Sequence, residues 1–159
     1  MPAFFEFHDT ILESIDWTGA NVVLKMKAIR TDWPQGIGVG DWSVSYQPIE
    51  IAVADAEMEE TCDGDLPEAG FAGRTAWIYD GSFKAATVIA NPGDVLTDDE
   101  SNLTIPASLS IAREVEIRFD CEDEDRQLWR NIRISGKSAS LRILAEARLI
   151  RMHSFQKQP

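Results

Sequence analysis

The sequence predicts an all-β protein, a single antiparallel β-sandwich or flattened barrel of about eight or nine strands in one domain over residues 1–159. Three observations predict it. Apolar and polar residues alternate in short runs along most of the chain. Turn-forming clusters separate those runs, and no long amphipathic helix interrupts them.

The C-terminal third carries the clearest pattern. Val115, Ile117 and Phe119 alternate with Glu114, Glu116, Arg118 and Asp120. Successive side chains of a strand point to opposite faces, so one face is apolar and the other wet. The acidic run from Cys121 to Asp125 is expected to end this strand, because such residues favour a solvated turn. In the next strand Leu128, Ile132 and Ile134 share one face, and Trp129, Asn131 and Arg133 the other. Ser135-Gly136-Lys137 then turns the chain. A third strand is expected to run on to Met152, with Leu141, Ile143, Ala145, Ala147 and Leu149 inward. Its good helix formers make a helix the rival, but the turn before it is of hairpin length.

From the N-terminus, Phe4 to Trp17 and Val22 to Ile29 form a hairpin around Thr18-Gly19-Ala20-Asn21. Arg30 to Asp41 reads as a mobile loop with an exposed Trp33. Gly36, Gly38 and Gly40 invite a phosphate-binding reading, but that needs a helix afterwards, and Trp42, Val44 and Tyr46 continue as a strand. The phase changes at Pro48, where a bulge or an edge is expected because proline cannot donate to the ladder. Residues 55–68 form an acidic loop. Asp80-Gly81 is expected to be a two-residue hairpin turn between Arg74–Tyr79 and Phe83–Ala90. Further turns fall at Asn91-Pro92-Gly93-Asp94 and at 98–102, before Leu103 to Pro106.

Composition narrows the function classes. Net charge is −12, and residues 1–80 carry −11 of it. That speaks against nucleic acid and against an anionic membrane surface, both of which need a basic footprint. It suits a basic protein partner. The N-terminus lacks a basic region followed by an apolar run, so a cytoplasmic location is expected. Cys62 and Cys121 make no disulfide framework, and soft ligands at zinc spacing are absent.

Candidate site residues fall into two groups. His8, Asp9 and His153 would form a ligand or metal site if the terminal strands paired. Neighbours on a strand point apart, so His8 and Asp9 meet only where the strand is broken. Otherwise Asp9 and Thr10 serve a turn, with His8 packed and hydrogen-bonded. The second group, Trp33, Glu57, Glu59, Glu60, Asp63 and Asp65, is the candidate partner face. Its acids do not follow the EF-hand order, so a calcium loop is not expected. No cofactor is expected, and two histidines without a nucleophile motif speak against an enzyme. The five tryptophans suggest a sugar platform as a further idea, with Trp129 foremost on its polar face. A sheet edge offers a route to homo-oligomers.

Phe7-His8-Asp9-Thr10-x-Leu12, Ile105-Pro106-x-x-Leu109, Val115 to Phe119 and Leu144-Ala145-Glu146-Ala147-Arg148 with Ile150 resemble small bacterial all-β domains of unknown function that open on a Phe-His-Asp-Ser-type box. Threonine replaces the usual serine here, and alanine precedes Glu146 where those domains often carry glycine. The box is also similar to that of some immunity proteins of bacterial toxin systems. The resemblance implies a bacterial protein; joined to the acidic charge and the lack of a nucleophile motif, it leads to the expectation of a protein-binding module, in its sharper form an immunity-type inhibitor of a basic toxin. It brings no catalytic residues.

Overall fold

The computed structural model describes residues 3–36, 39–63, 75–85, 104–106, 110–112, 114–123 and 128–153. Within them all regular structure is strand: β1 (Ala3–Thr18), β2 (Asn21–Asp32), β3 (Trp42–Ala54), β4 (Glu57–Cys62), β5 (Ala76–Ala85), β6 (Thr104–Pro106), β7 (Ser110–Ile111), β8 (Val115–Asp123), β9 (Trp129–Gly136), β10 (Ser138–Ile143) and β11 (Arg148–His153). Every pairing is antiparallel. The path runs β4-β9-β8-β5-β1-β2-β3-β10-β7, with β11 beside β3 and β6 beside β1. The all-β class holds. The described residues hold eleven strands rather than eight or nine because β4 and the two-residue β7 are added and the last expected strand is two, while the pair expected around Asp80-Gly81 is one.

The path of pairings is not closed, but β3 continues almost directly into β4. Asp55 takes a left-handed φ of 47°, and the Ala56 N–H then donates to the Ala20 carbonyl at 2.8 Å. One bent length of chain thus pairs with β2 on one side of the fold and with β9 on the other, as a flattened barrel or sandwich requires. The β9–β10 turn folds onto the end of β3. A Cβ on Gly136 would lie 2.3 Å from Val53 Cγ1 and 2.6 Å from the Ala54 carbonyl oxygen, so only glycine fits there.

The core lies between the two halves. Val22, Leu24 and Met26 of β2 face it, as do Ile49, Ile51 and Val53 of β3 and Ile117, Phe119, Ile132 and Ile134 of β8 and β9. Phe7 meets Phe119 edge-on, with ring centroids 4.9 Å apart. The expected faces of β8 and β9 are those observed. The hairpin at Gly19-Ala20 and the turn at Gly136-Lys137 also stand where the sequence places them.

Five expectations are corrected. First, the acidic run does not end β8 at Cys121. Cys121 and Asp123 are both fully buried, and the strand runs through them.

Second, β3 has no phase change. Its inward residues are Ser45, Gln47, Ile49, Ile51 and Val53 throughout. Gln47 is tolerated there because it is partnered: its Oε1 accepts from Arg30 Nη1 at 2.6 Å and its Nε2 donates to the Ala145 carbonyl at 3.1 Å. Pro48 sits where the neighbour of β3 changes from β10, ending at Ile143 opposite Ile49, to β11, starting at Arg148 opposite Tyr46. Its carbonyl accepts from Leu144 N at 2.9 Å. The N–H and C=O of one extended residue point to the same side, so the missing donor faces that gap.

Third, residues 57–62 of the expected acidic loop are strand β4, paired with β9 from Glu57 opposite Ser135 to Cys62 opposite Arg130. Fourth, Asp80-Gly81 is not a turn. Both lie inside β5, which pairs with β8 along its length. The glycine is needed because Phe7 crosses it, with Phe7 Cβ 2.8 Å from where a Gly81 Cβ would be.

Fifth, 141–152 is two strands, not one, and most of it is not core. Ile143 is 42% exposed, Leu149 57% and Met152 63%. Only Ala139, with Leu141 partly, packs against the core here. The turns expected at 91–94 and 98–102 lie outside the described residues.

Candidate binding face

The Phe-His-Asp-Thr box is a bulge. Glu6 pairs with Ile29 and Ile11 with Lys27, so Phe7 to Thr10 crowd opposite one residue of β2. Asp9 takes a left-handed φ of 63°, a conformation Asp tolerates better than most. Thr10 is fully buried and ties the bulge at its base. Its hydroxyl donates to the Glu6 carbonyl at 2.6 Å and accepts the Ile29 N–H at 3.1 Å. Phe7 is thereby sent into the core and His8 out to solvent.

A second bulge faces the first. In β5 the register shifts between Ile78 and Asp80, leaving Tyr79 off the ladder with β8. The Tyr79 carbonyl accepts a hydrogen bond from His8 Nδ1. A carbonyl has no proton to give, so Nδ1 carries the hydrogen. His8 Nε2 lies 3.5 Å from Asp9 Oδ2, and Asp9 Oδ1 accepts the Trp77 indole N–H at 3.3 Å. The broken strand brings His8 and Asp9 together.

An exposed aromatic row grows from this junction. Trp77 on β5, Glu122 on β8 and Trp129 on β9 are direct cross-strand partners on the outer face. The Tyr79 ring stacks with Trp77 at 6.4 Å between centroids and leans on Trp129 at 4.7 Å. Its hydroxyl donates to Glu122 Oε2 at 2.6 Å. That bond is the first cause that raises the Tyr79 pKa above its ordinary value. Trp77, Tyr79 and Trp129 are 44%, 40% and 46% exposed. Each carboxylate beside the row holds an aromatic donor in place, and a carboxylate has further acceptor positions to offer. Beneath, Glu6 is raised above its usual pKa, chiefly by burial, with His8 opposing and Asp9 adding to the shift.

Past Trp129 the outer face dips. A recess of about 240 Å³ is lined by Thr61, Asp63, Asp120, Trp129, Arg130 and Asn131. A larger one of about 460 Å³ lies at the β9–β10 turn, between Asp55, Glu57, Glu114 and Glu116 and the cations Lys84 and Lys137.

The other candidates from the sequence are dispersed. His153 on β11 is separated from His8 on β1 by β2 and β3. It stacks on Trp42 at 4.6 Å, and Trp42 stacks on Trp33 at 4.7 Å. Trp33 is therefore half-buried in a column of rings, not displayed on an open loop. Among the described residues no group of three or more His, Cys, Asp or Glu side chains is placed to hold a metal. Glu57 and Glu59 are exposed on β4. Glu60 is not available to a partner, because Arg130 Nε donates to its Oε1 at 2.7 Å. Asp63 stands at the end of β4, its N–H donating to the Trp129 carbonyl at 2.9 Å. Asp65 lies outside the described residues.

Sequence reasoning passed over Trp77, Tyr79 and Glu122. The signal that finds the aromatics is the i, i+2 spacing of Trp77 and Tyr79 around buried Ile78, which puts two large rings on the face that should be wet. Among the described residues no helix is long and apolar enough to cross a membrane. No protein-family model, curated protein or solved structure matches this chain.

Proposed function

We propose that this protein is a non-enzymatic binding module whose partner is a basic protein, engaged through the outer face of β5, β8 and β9. The observation that carries this reading is the row Trp77–Tyr79–Trp129, in mutual contact, exposed, and bordered by the carboxylates of Asp9 and Glu122. Tryptophan and tyrosine dominate the energetics of protein interfaces. Rings of this kind also attract the cationic side chains of a basic partner. The chain's net charge of −12 would speed that encounter and make it salt-dependent. The contact surface thus moves from the acidic stretch 57–65 to the aromatic row, since Glu60 is committed to Arg130 within the fold. The inhibitor of a basic toxin is the sharper form of the same reading.

The test is affinity capture at low and high salt, comparing the protein with its Trp77→Ala/Trp129→Ala variant. A basic protein recovered in near-equal amount at low salt, diminished at high salt and lost by the variant supports the proposal. Equal recovery by both proteins puts the interface elsewhere. Recovery of nothing by either would sink it.

A further inference from the structure

We propose that the recess beside Trp129 is a guanidinium site, which takes an arginine side chain. The arginine's source, a basic protein partner, rests on the reading above; the chemistry of the recess does not.

Its walls are two carboxylates, one indole and an amide. Asn131 Nδ2 donates to Asp120 Oδ1 at 2.6 Å, which fixes the carboxylate while its second oxygen keeps its acceptor positions. Asp63, at the end of β4, is anchored through its backbone to the Trp129 carbonyl and is among the residues that line the recess. Trp129 rests against Tyr79 and also lines the recess. Among the described residues of the lining the one cation, Arg130, is only 4% exposed and its guanidinium is bound to Glu60. The recess therefore keeps the charge of Asp63 and Asp120. On the far side of Asp120 and Asn131 lies a second recess of about 220 Å³, whose lining includes Lys84 and Arg118. Arg118 is committed to Glu116, at 2.7 Å, and Asp63 is not part of that lining.

A flat cation that stacks on an aromatic face while donating in pairs to carboxylates matches this combination, and guanidinium is that cation. An ammonium would meet the charges but has no plane to lay on the indole. A sugar would use the indole and the Asp120–Asn131 pair, yet has no need of two carboxylates. A hard metal ion would have no use for the ring.

The experiment is an NMR titration of the whole protein with arginine amide, followed at the Trp129 indole N–H and the Asn131 side-chain amide. Lysine amide, a methyl glycoside and calcium chloride are run in parallel. Arginine amide should shift both signals saturably and bind several-fold more tightly than lysine amide. Asp63→Asn and Asp120→Asn should each weaken it by about tenfold or more, the loss expected for one charge-assisted contact. Unchanged signals from the buried core would certify that the variants fold. Saturable shifts with the glycoside or with calcium, and none with arginine amide, would overturn the inference. So would arginine binding indifferent to both substitutions. If arginine amide binds here but capture yields no partner, the recess stands and the proposed function falls. If a partner is captured equally well by Asp63→Asn/Asp120→Asn, the function stands and the guanidinium site falls.

Discussion

His8 and Tyr79 join two bulges: the imidazole that β1 throws outward donates to the carbonyl that β5 leaves off its ladder. The same two bulges orient the aromatic row. Tyr79 is unpaired in the ladder with β8, and its ring bridges Trp77 and Trp129. Asp9, beside His8, fixes the Trp77 indole. Removing the imidazole should therefore loosen the binding face more than it destabilises the fold. His8→Ala should cost only about 0.5–1.5 kcal/mol in urea unfolding, the usual net worth of one hydrogen bond. Tryptophan fluorescence of the folded variant should nevertheless change as the rings rearrange. An unchanged spectrum would show that the row stands without His8.

Thr10 holds the bulge from inside. Thr10→Val keeps the shape but deprives the Glu6 carbonyl and the Ile29 N–H of their shared hydroxyl. The expected loss is about 1–3 kcal/mol, since a buried group is left unsatisfied. Thr10→Ser should lose less. Equal losses in a urea series would mean that the methyl group, not the hydroxyl, matters.

Phe119 and Ile143 discriminate core from margin. Phe119 is fully buried and meets Phe7 edge-on, so Phe119→Ala should cost about 3–5 kcal/mol. Ile143 is 42% exposed, and Ile143→Ala should fall well short of the roughly 2–5 kcal/mol typical of a buried isoleucine. Equilibrium unfolding of the two variants side by side checks the contrast.

Two glutamates should give opposite pH signatures. Burial works to raise the pKa of Glu116, but hydrogen bonds from Arg133 and Arg118 overcome it, and the folded value lies below 4.5. Its contribution to stability is thus present above pH 4.5 and is lost as the pH falls through the lowered folded value. Glu6 is displaced upward from 4.5, chiefly by burial. The folded state then holds its proton more firmly than the unfolded chain, and stability declines as the pH rises through that window. Glu116→Gln should flatten the acid limb of a stability profile, and Glu6→Gln should raise stability at neutral pH. A profile untouched by either change would refute the assignment.

The thiols should separate by reactivity. Cys121 is fully buried, and burial pushes its pKa up to about 12, against the pull of Arg130. A thiol reagent acts on the thiolate, so native protein should label at Cys62, which is half-buried, and at Cys121 only on unfolding. Equal labelling of both in native protein would contradict the burial of Cys121.

The sequence spoke plainly where burial alone decides a strand's face. In β8 and β9 apolar residues alternate with polar and charged ones, and the phase read from them is the phase found. It misled where a tertiary partner satisfies a polar group. Gln47 turns inward because Arg30 and the Ala145 carbonyl meet it, and nothing local announces either. Asp80-Gly81 looks like a hairpin turn because the need for glycine there comes from Phe7, a residue of another strand. In β10 and β11 the apolar residues lie at the sheet's margin, so alternation carried no information about depth. For the candidate site, Asp9 and His8 were legible as a pair only on condition of a broken strand. The aromatic row needed the pairing of β5, β8 and β9 to assemble it.

The two-residue link from β3 to β4 also bears on how the chain reaches this state. β1, β2 and β3 are joined by hairpin connections, and β8 and β9 lie close in sequence, so each set needs little loop closure to form. The pairing of Glu57 with Ser135 joins residues about half the chain length apart. Once the first three strands have formed, β4 is carried out at their margin as a tethered docking strip for the β8–β9 hairpin. Such long-range closure is expected to set the folding rate, in the range of roughly milliseconds to seconds for β proteins of high contact order. Weakening β4 should therefore slow folding, while weakening the β1–β2 hairpin should chiefly speed unfolding.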